Sequence, residues 1–281
     1  LLKGDDFGDR MKFFEQVEAS RQLMPLLPAC ARLDGRGFSK WTRNLDRPYD
    51  QRLSNLMIET AMFLVEETHA KIGYTQSDEI SLVYYQEDFD SEIFFDGKIQ
   101  KLTSVLASLA TAYFNKWAPK LLITGHADRA GLAFFDCRVW NVPNQTEAAN
   151  VLLWREKDAT KNSISMAARS VFSHSELDKK SGSEMIEMLF QKGINWNDYP
   201  SFFKRGTFVR RETYQKELEP EILVKIPESK RPAPGTLVTR SHVVKVEMPP
   251  FTKVTNRVQV VFDGATPTTD ADDARIYETG L

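Results

Sequence analysis

The chain has 281 residues with 37 basic and 39 acidic side chains, a net charge of −2, and 42% hydrophobic against 27% charged residues. This balance excludes wholesale disorder, and no stretch approaches the roughly 20 apolar residues that span a bilayer. A near-neutral chain also argues, at first sight, against a nucleic-acid binder. Cys30 and Cys137 are too few for a disulfide framework or a four-ligand zinc site, and His69, His126, His174 and His242 are scattered. A reducing cytoplasm is the expected compartment, and the length suits one large domain or a domain with an appendage.

In chain order, residues 1–24 read as a polar start and a short helix marked by Met11, Phe13, Phe14, Val17 and Leu23. Residues 29–33 form an apolar run that ends in an Asp34-Gly35 turn, as a buried strand does. Leu53, Leu56, Met57, Ala61 and Leu64 place a helix over 50–69. Ile80, Leu82 and Tyr84 then alternate with Glu79, Ser81 and Val83, and the polar turn 75–78 before them makes 74–85 a hairpin. The longest helical stripe runs from Ile99 through Leu102, Leu106, Ala110 and Phe114 to Trp117, with Pro119 expected to close it. A strand over 131–142 and a helix over 146–155, capped by Asn144 or Thr146, follow. Short helices are expected at 166–172 and 184–190, and a strand at 207–214.

Beyond Leu218 the texture changes, with four prolines within 220–234 and two β-like runs at 237–247 and 254–262. Residues 263–281 read as a structureless acidic tail. That tail carries five acids against Arg275, so the preceding 262 residues hold 36 basic and 34 acidic side chains. The order strand, helix, hairpin, helix, strand over 29–142 predicts an α+β fold, a ferredoxin-like antiparallel sheet with helices on one face.

Two acidic clusters stand at the ends of apolar strands: Arg32-Leu33-Asp34-Gly35-Arg36-Gly37-Phe38 and Gln76-Ser77-Asp78-Glu79. Magnesium favours such oxygen ligands, and a glycine carbonyl beside a carboxylate can add another. Two clusters on neighbouring strands would suit a pair of ions and in-line attack at phosphorus. Spacing alone, however, favours two ordinary turns. Cys30 and Cys137 read as small hydrophobes, and His126 and His174 lack a nucleophile to serve. The five tryptophans read as core or interface residues rather than base-stacking platforms.

The sequence around the clusters adds more. Asp34-Gly-Arg-Gly-Phe38, Thr75-Gln-Ser-Asp-Glu79, Phe135-Asp-Cys-Arg138, Pro143-Asn-Gln-Thr146, Trp154-Arg155 and Lys204-Arg-Gly-Thr207 occur in one order. Together, over residues 11–212, they resemble the tRNA(His) guanylyltransferase family, which adds nucleotides in reverse to the 5′ end of tRNA. The resemblance implies a polymerase-like palm over 1–217 with a helical, tRNA-contacting insert at about 145–205, followed by an extension over 218–262. It implies Asp34, Asp78 and Glu79 as catalytic residues and two magnesium ions held by Asp34, Asp78 and the Gly35 carbonyl. ATP or GTP would activate the RNA 5′-phosphate, which the 3′-hydroxyl of an incoming nucleotide then attacks.

By the same resemblance Arg36, Gly37, Phe38, Arg47, Ser77, Lys98, Lys101 and Asn162 would meet nucleotide or phosphate. Asn144, Arg155, Lys161, Lys204, Arg205 and Arg210 would meet RNA. Residues 201–216 carry five basic side chains and one acid, interleaved with Phe202, Phe203, Phe208 and Tyr214. The implied partners are tRNA and nucleoside triphosphates, with no membrane, and the implied assembly is a homotetramer. One block departs from the pattern: where enzymes acting on tRNA(His) carry His-Ile-Asn-Asn-Leu-Tyr-Asn, this chain has Thr160-Lys-Asn-Ser-Ile-Ser-Met166, keeping only Asn162. That makes it look like the branch of like proteins that repair 5′-truncated tRNAs. Two alternatives stay open, another palm-type phosphoryl enzyme such as a nucleotide cyclase, and an RNA-binding protein without turnover.

Overall fold

A computed structural model describes residues 6–121, 131–233 and 235–270; His126 and residues 271–281 lie outside the described residues. After a first helix, α1 (Asp6–Ala19), come β1 (Ala29–Gly35), the short α2 (Phe38–Trp41) and α3 (Gln51–Thr68). The hairpin β2 (Ile72–Gln76) and β3 (Glu79–Tyr84) leads to α4 (Ile99–Leu121) and β4 (Phe135–Asn141). The chain then forms α5 (Gln145–Arg169), α6 (His174–Leu177), α7 (Gly182–Gln191) and α8 (Ser201–Arg205). It closes with β5 (Thr207–Glu217), α9 (Pro220–Lys225), β6 (Leu237–Val246) and α10 (Arg257–Phe262). The six strands form one antiparallel sheet in the order β4-β1-β3-β2-β5-β6. Its first four strands, with α3 after β1 and α4 after β3, make the expected βαββαβ arrangement.

Local chemistry explains the elements. Asp50 caps α3 by accepting the N–H groups of Arg52 and Leu53, and His69 ends it in the left-handed region. Leu56, Met57, Ala61, Leu64 and Val65 bury one stripe of α3, and Leu102, Leu106, Ala110, Phe114 and Ala118 bury one stripe of α4. Each large side chain withdrawn from water in this way contributes about 1.5–3 kcal/mol. Phe38, Trp41, Phe114 and Phe135 interlock above the end of β1 at centroid distances of 5.2–5.5 Å. Pro119 does not close α4; it sits in the last turn, and the helix reaches Leu121.

Several expectations are corrected. Helices cover both faces of the sheet: α3 and α4 pack on one, and α5 with α10 on the other, against Cys30, Ile72, Tyr74, Val83 and Phe208. The physical reason is that β1 and β3 are apolar on both faces and need two covers. The helices expected at 146–155 and 166–172 are not separate: one 25-residue α5 runs through from Gln145 and ends at Arg169. Its polar middle masks buried Glu156, Ala159 and Ser163; the Glu156 carboxylate accepts the Phe251 N–H at 2.8 Å. The run 254–262 is not a strand, for Val258, Val260 and Val261 sit in α10 and pack, with Val254 before it, on the second core. Residues 263–270 are not structureless. Thr255 N–H donates to the Thr268 carbonyl, Thr268 N–H to Asn256 Oδ1, and Arg210 Nη1 to the Ala265 carbonyl at 2.8 Å. Among the described residues no helix is long and apolar enough to cross a membrane. Both cysteines are shielded, and burial pushes each thiol up to about 12.

Candidate active site

The end of β1 meets the β2–β3 turn. Gly35 N–H donates to the Asp78 carbonyl at 3.0 Å, tying the two acidic clusters together. Ser77 turns the chain in the left-handed region, and its Oγ donates to Asp78 Oδ1 at 3.1 Å. Gly35 is required by a close approach, because a Cβ there would stand 2.4 Å from the Phe38 ring.

Register decides which carboxylates are neighbours. Asp34 pairs with Glu79 on β3 and with Asp136 on β4, so three acids lie side by side on the α5 face. The next row on that face is Arg138, Arg32 and Ser81. Like charges directly across strands destabilise a sheet, and α5 supplies the compensation. Arg155 grips Glu79 with both nitrogens, Nε to Oε1 at 2.6 Å and Nη2 to Oε2 at 2.9 Å, while its Nη1 reaches Asp158 at 2.9 Å. Burial pushes the Glu79 carboxyl upward, and the Arg155 guanidinium opposes the shift. Burial also raises Asp78, with the Asp34 and Glu79 charges adding and the Ser77 hydroxyl opposing.

Two cavities share Asp34, Ser77, Asp78 and Met166. One, of about 440 Å³, is also lined by Gly35, Gly37, Phe38, Arg47 and Tyr49. The other, of about 360 Å³, is lined by Glu79, Arg155, Asn162, Ser165 and Arg169. Both volumes fall in the range of small-molecule pockets. Among the described residues no three His, Cys, Asp or Glu side chains form a metal cage. The donor set fits magnesium nonetheless, because that ion keeps several waters and takes one or two carboxylates with substrate phosphates.

The remaining site expectations divide. Asp34, Gly35, Gly37, Phe38, Arg47, Ser77 and Asp78 come together around the first cavity, and Glu79, Arg155 and Asn162 around the second. The Phe38 ring is buried in the aromatic core. Arg36 and Lys161 are exposed and line neither cavity. Lys98 and Lys101 lie at the other end of the sheet, where Leu23 N–H meets the Gly97 carbonyl, about 20 Å of strand away from Asp34. Asn144 occupies that same end and caps α5 through the Glu147 N–H.

Lys204 donates to the Asn197 carbonyl and lies over the Trp196 ring. Arg205 stands 3.9 Å from Glu156 and lines a separate cavity of about 260 Å³. Arg210 corrects the expectation of an RNA contact: it is buried, with its guanidinium held by Glu212 and the Ala265 carbonyl. Sequence reasoning missed Tyr49, Asp136, Ser165, Met166 and Arg169. Arg155, Asn162, Met166 and Arg169 follow at intervals of seven, four and three, one face of a helix. That signal is readable only once α5 is continuous.

Comparison with known proteins supplies the family. A family profile described as tRNAHis guanylyltransferase matches residues 8–143. The tRNA(His) guanylyltransferase of Schizosaccharomyces pombe is 30% identical over 224 residues, 74% of this chain and 82% of that protein. A bacterial tRNA(His) guanylyltransferase (Thg1)-like protein solved with ATP is 33% identical at a TM-score of 0.75, covering 92% of this chain and 99% of the other. A bacterial Thg1-like protein solved with GTP is 32% identical at a TM-score of 0.66, covering 89% and 95%. With paired carboxylates between two cavities on an antiparallel sheet, the class is nucleotidyltransferase. Within that class, the chain belongs to the tRNA(His) guanylyltransferase family.

Proposed function

We propose that this protein adds nucleotides in the 3′-to-5′ direction to the 5′ end of tRNA, repairing truncated ends by template rather than marking tRNA(His) alone. The observation that carries the reading is the sharing of Asp34 and Asp78 between two cavities. A reaction joining a triphosphate to an RNA end needs one carboxylate pair reachable from two sides. ATP or GTP transfers its nucleotidyl group to the 5′-phosphate with release of pyrophosphate, and the 3′-hydroxyl of the incoming nucleotide attacks that activated phosphate and expels AMP or GMP. Asp34, Asp78 and the Gly35 carbonyl would hold two magnesium ions, which when bound supply charge neutralisation at the phosphates. Arg47 and Ser77 face the first cavity, where they can hold a triphosphate, and Asn162 and Arg169 face the second. Arg155 positions Glu79 and stops it repelling Asp34.

The reading of repair is supported at Thr160, which stands where the tRNA(His) enzymes carry histidine. Its hydroxyl donates back to the Glu156 carbonyl of its own helix at 3.0 Å and is not offered to a substrate. In this reading residues 1–217 are a palm-type catalytic unit, with 145–205 contacting tRNA and 218–262 an extension. The working form is a cytoplasmic homotetramer, and the exposed Phe7, Met11 and Phe14 of α1 offer a face for a neighbouring copy. The test is a 5′-addition assay in magnesium with several truncated tRNAs and all four nucleotides. Addition should follow the base opposite the gap; addition confined to tRNA(His) would refute the repair reading.

A further inference from the structure

Next to the carboxylates lies a strip of sheet that neither cavity includes. On the edge strand β4, Asp136 and Arg138 keep 56% and 55% of their side chains exposed, joined by a loose pair at 3.5 Å. Arg32 lies directly across from Arg138 and two residues before Asp34, about 6.6–6.8 Å along the strand. Its guanidinium makes no hydrogen bond to any described residue, and its Nε is shielded from solvent without a partner. Trp154 of α5 stands over this strip, with the Arg32 Cζ 5.5 Å and the Arg155 Cζ 4.3 Å from its ring.

Trp154 is 47% exposed, whereas Trp41 is 6% exposed and the other three tryptophans are partly buried. A core role, one of the two expected for all five, would withdraw the indole from water. Here the ring is held in the open between the Arg32 and Arg155 guanidiniums, and the Arg32 Nε has no hydrogen-bond partner among the described residues. Aromatic faces beside arginines are the chemistry that receives unpaired bases and phosphates.

We propose that Trp154, Arg32 and Arg138 form the track on which the RNA strand lies as its 5′ end enters the Asp34–Asp78 site. One base stacks on the indole, and the adjoining phosphate is held by Arg32 and Arg138. This rests on the reading of an RNA substrate given above. Stacking is indifferent to base identity, as a repair enzyme needs, and the strip's donors match a phosphodiester rather than a second triphosphate pocket.

The test uses the full chain with a fluorescent 5′-truncated tRNA, measuring affinity by anisotropy over a potassium chloride series and KM for RNA and for GTP. Trp154→Ala should weaken RNA binding about tenfold, with Trp154→Phe near wild type because a phenyl face also stacks. KM for RNA should rise in Trp154→Ala while KM for GTP holds. Arg138→Gln should flatten the slope of log affinity against log salt by about 0.7, one single-strand phosphate. If wild type binds and extends the tRNA but Trp154→Ala matches it, the track is wrong; equal losses in the Ala and Phe variants overturn it too. If wild type neither binds nor extends the tRNA, the proposed function itself falls.

Discussion

The two ends of the sheet make a useful contrast. At the end where β1 begins, polar groups find partners within the chain. Asn144 caps α5, Asn141 Oδ1 accepts the Met24 N–H, and Leu23 and Ile99 close backbone bonds with Gly97 and Arg21. At the end where β1 finishes, charge exceeds pairing: Asp136, Asp34 and Glu79 lie abreast, Asp78 is half-buried beside them, and the Arg32 Nε has no hydrogen-bond partner among the described residues. Both ends draw on the same strands, so the difference lies in side-chain chemistry rather than topology. Unsatisfied charge costs stability unless a substrate or ion completes it.

That contrast can be broken or sharpened by substitution. The largest effect on stability is expected at Arg155→Met. It strands the Glu79 carboxylate, whose side chain is only 16% exposed, and removing one partner of such a pair costs about 3–5 kcal/mol. Chemical denaturation measures this, and the double variant Arg155→Met with Glu79→Gln should recover much of the loss. No recovery would mean that Arg155 stabilises by packing on Trp154 instead.

A smaller effect is expected at the satisfied end. Asn144→Ala removes the α5 cap and should cost about 1 kcal/mol in the same denaturation series, with nucleotide addition unchanged. A loss of RNA affinity in that variant would restore Asn144 to the substrate surface. The smallest effect is one of pH. The Ser181 N–H and hydroxyl, with Lys180, hold the Glu184 carboxyl down at about 2. A folded value below the usual carboxylate range means that this contribution is full above about pH 4.5 and is lost as pH falls toward 2. Thermal melts of Glu184→Gln from pH 6 to pH 2 should therefore differ from wild type above pH 4.5 and converge with it in acid.

Much of this fold was legible in advance. The alternation of Ile80, Leu82 and Tyr84 with Glu79 and Ser81 in β3 and the three-and-four spacing of α4 are patterns local to one element, and a sequence displays both, although β3 is buried on both faces. The βαββαβ order followed from them. What failed needed long-range information. The polar stretch from Glu156 to Lys161 reads as a break, yet Glu156 is buried because Phe251, almost a hundred residues on, donates to it. The valines of α10 read as a strand until the second core is known to receive a helix.

The site divides along the same line. Asp34 and Asp78 sit in contiguous motifs at strand ends, which spacing alone reads as ordinary turns and which the resemblance to the family marks as metal ligands. Met166 and Arg169 lie on the far half of α5 and join the site through helix continuity. Lys98 and Lys101 drew a nucleotide role from resemblance, but α4 carries them to the other end of the sheet. Trp154 read as one more core or interface tryptophan, and its exposure beside Arg32 shows only in the fold.

The central claim is that Asp34 and Asp78 are the reacting centre between two substrate cavities. It is tested most directly by Asp34→Asn and Asp78→Asn in a single-turnover assay of labelled GTP joined to a 5′-truncated tRNA in magnesium, with tRNA affinity measured alongside. Each variant should bind tRNA within about twofold of wild type and lose addition by roughly 100-fold or more. Addition at the wild-type rate in either variant would contradict the account.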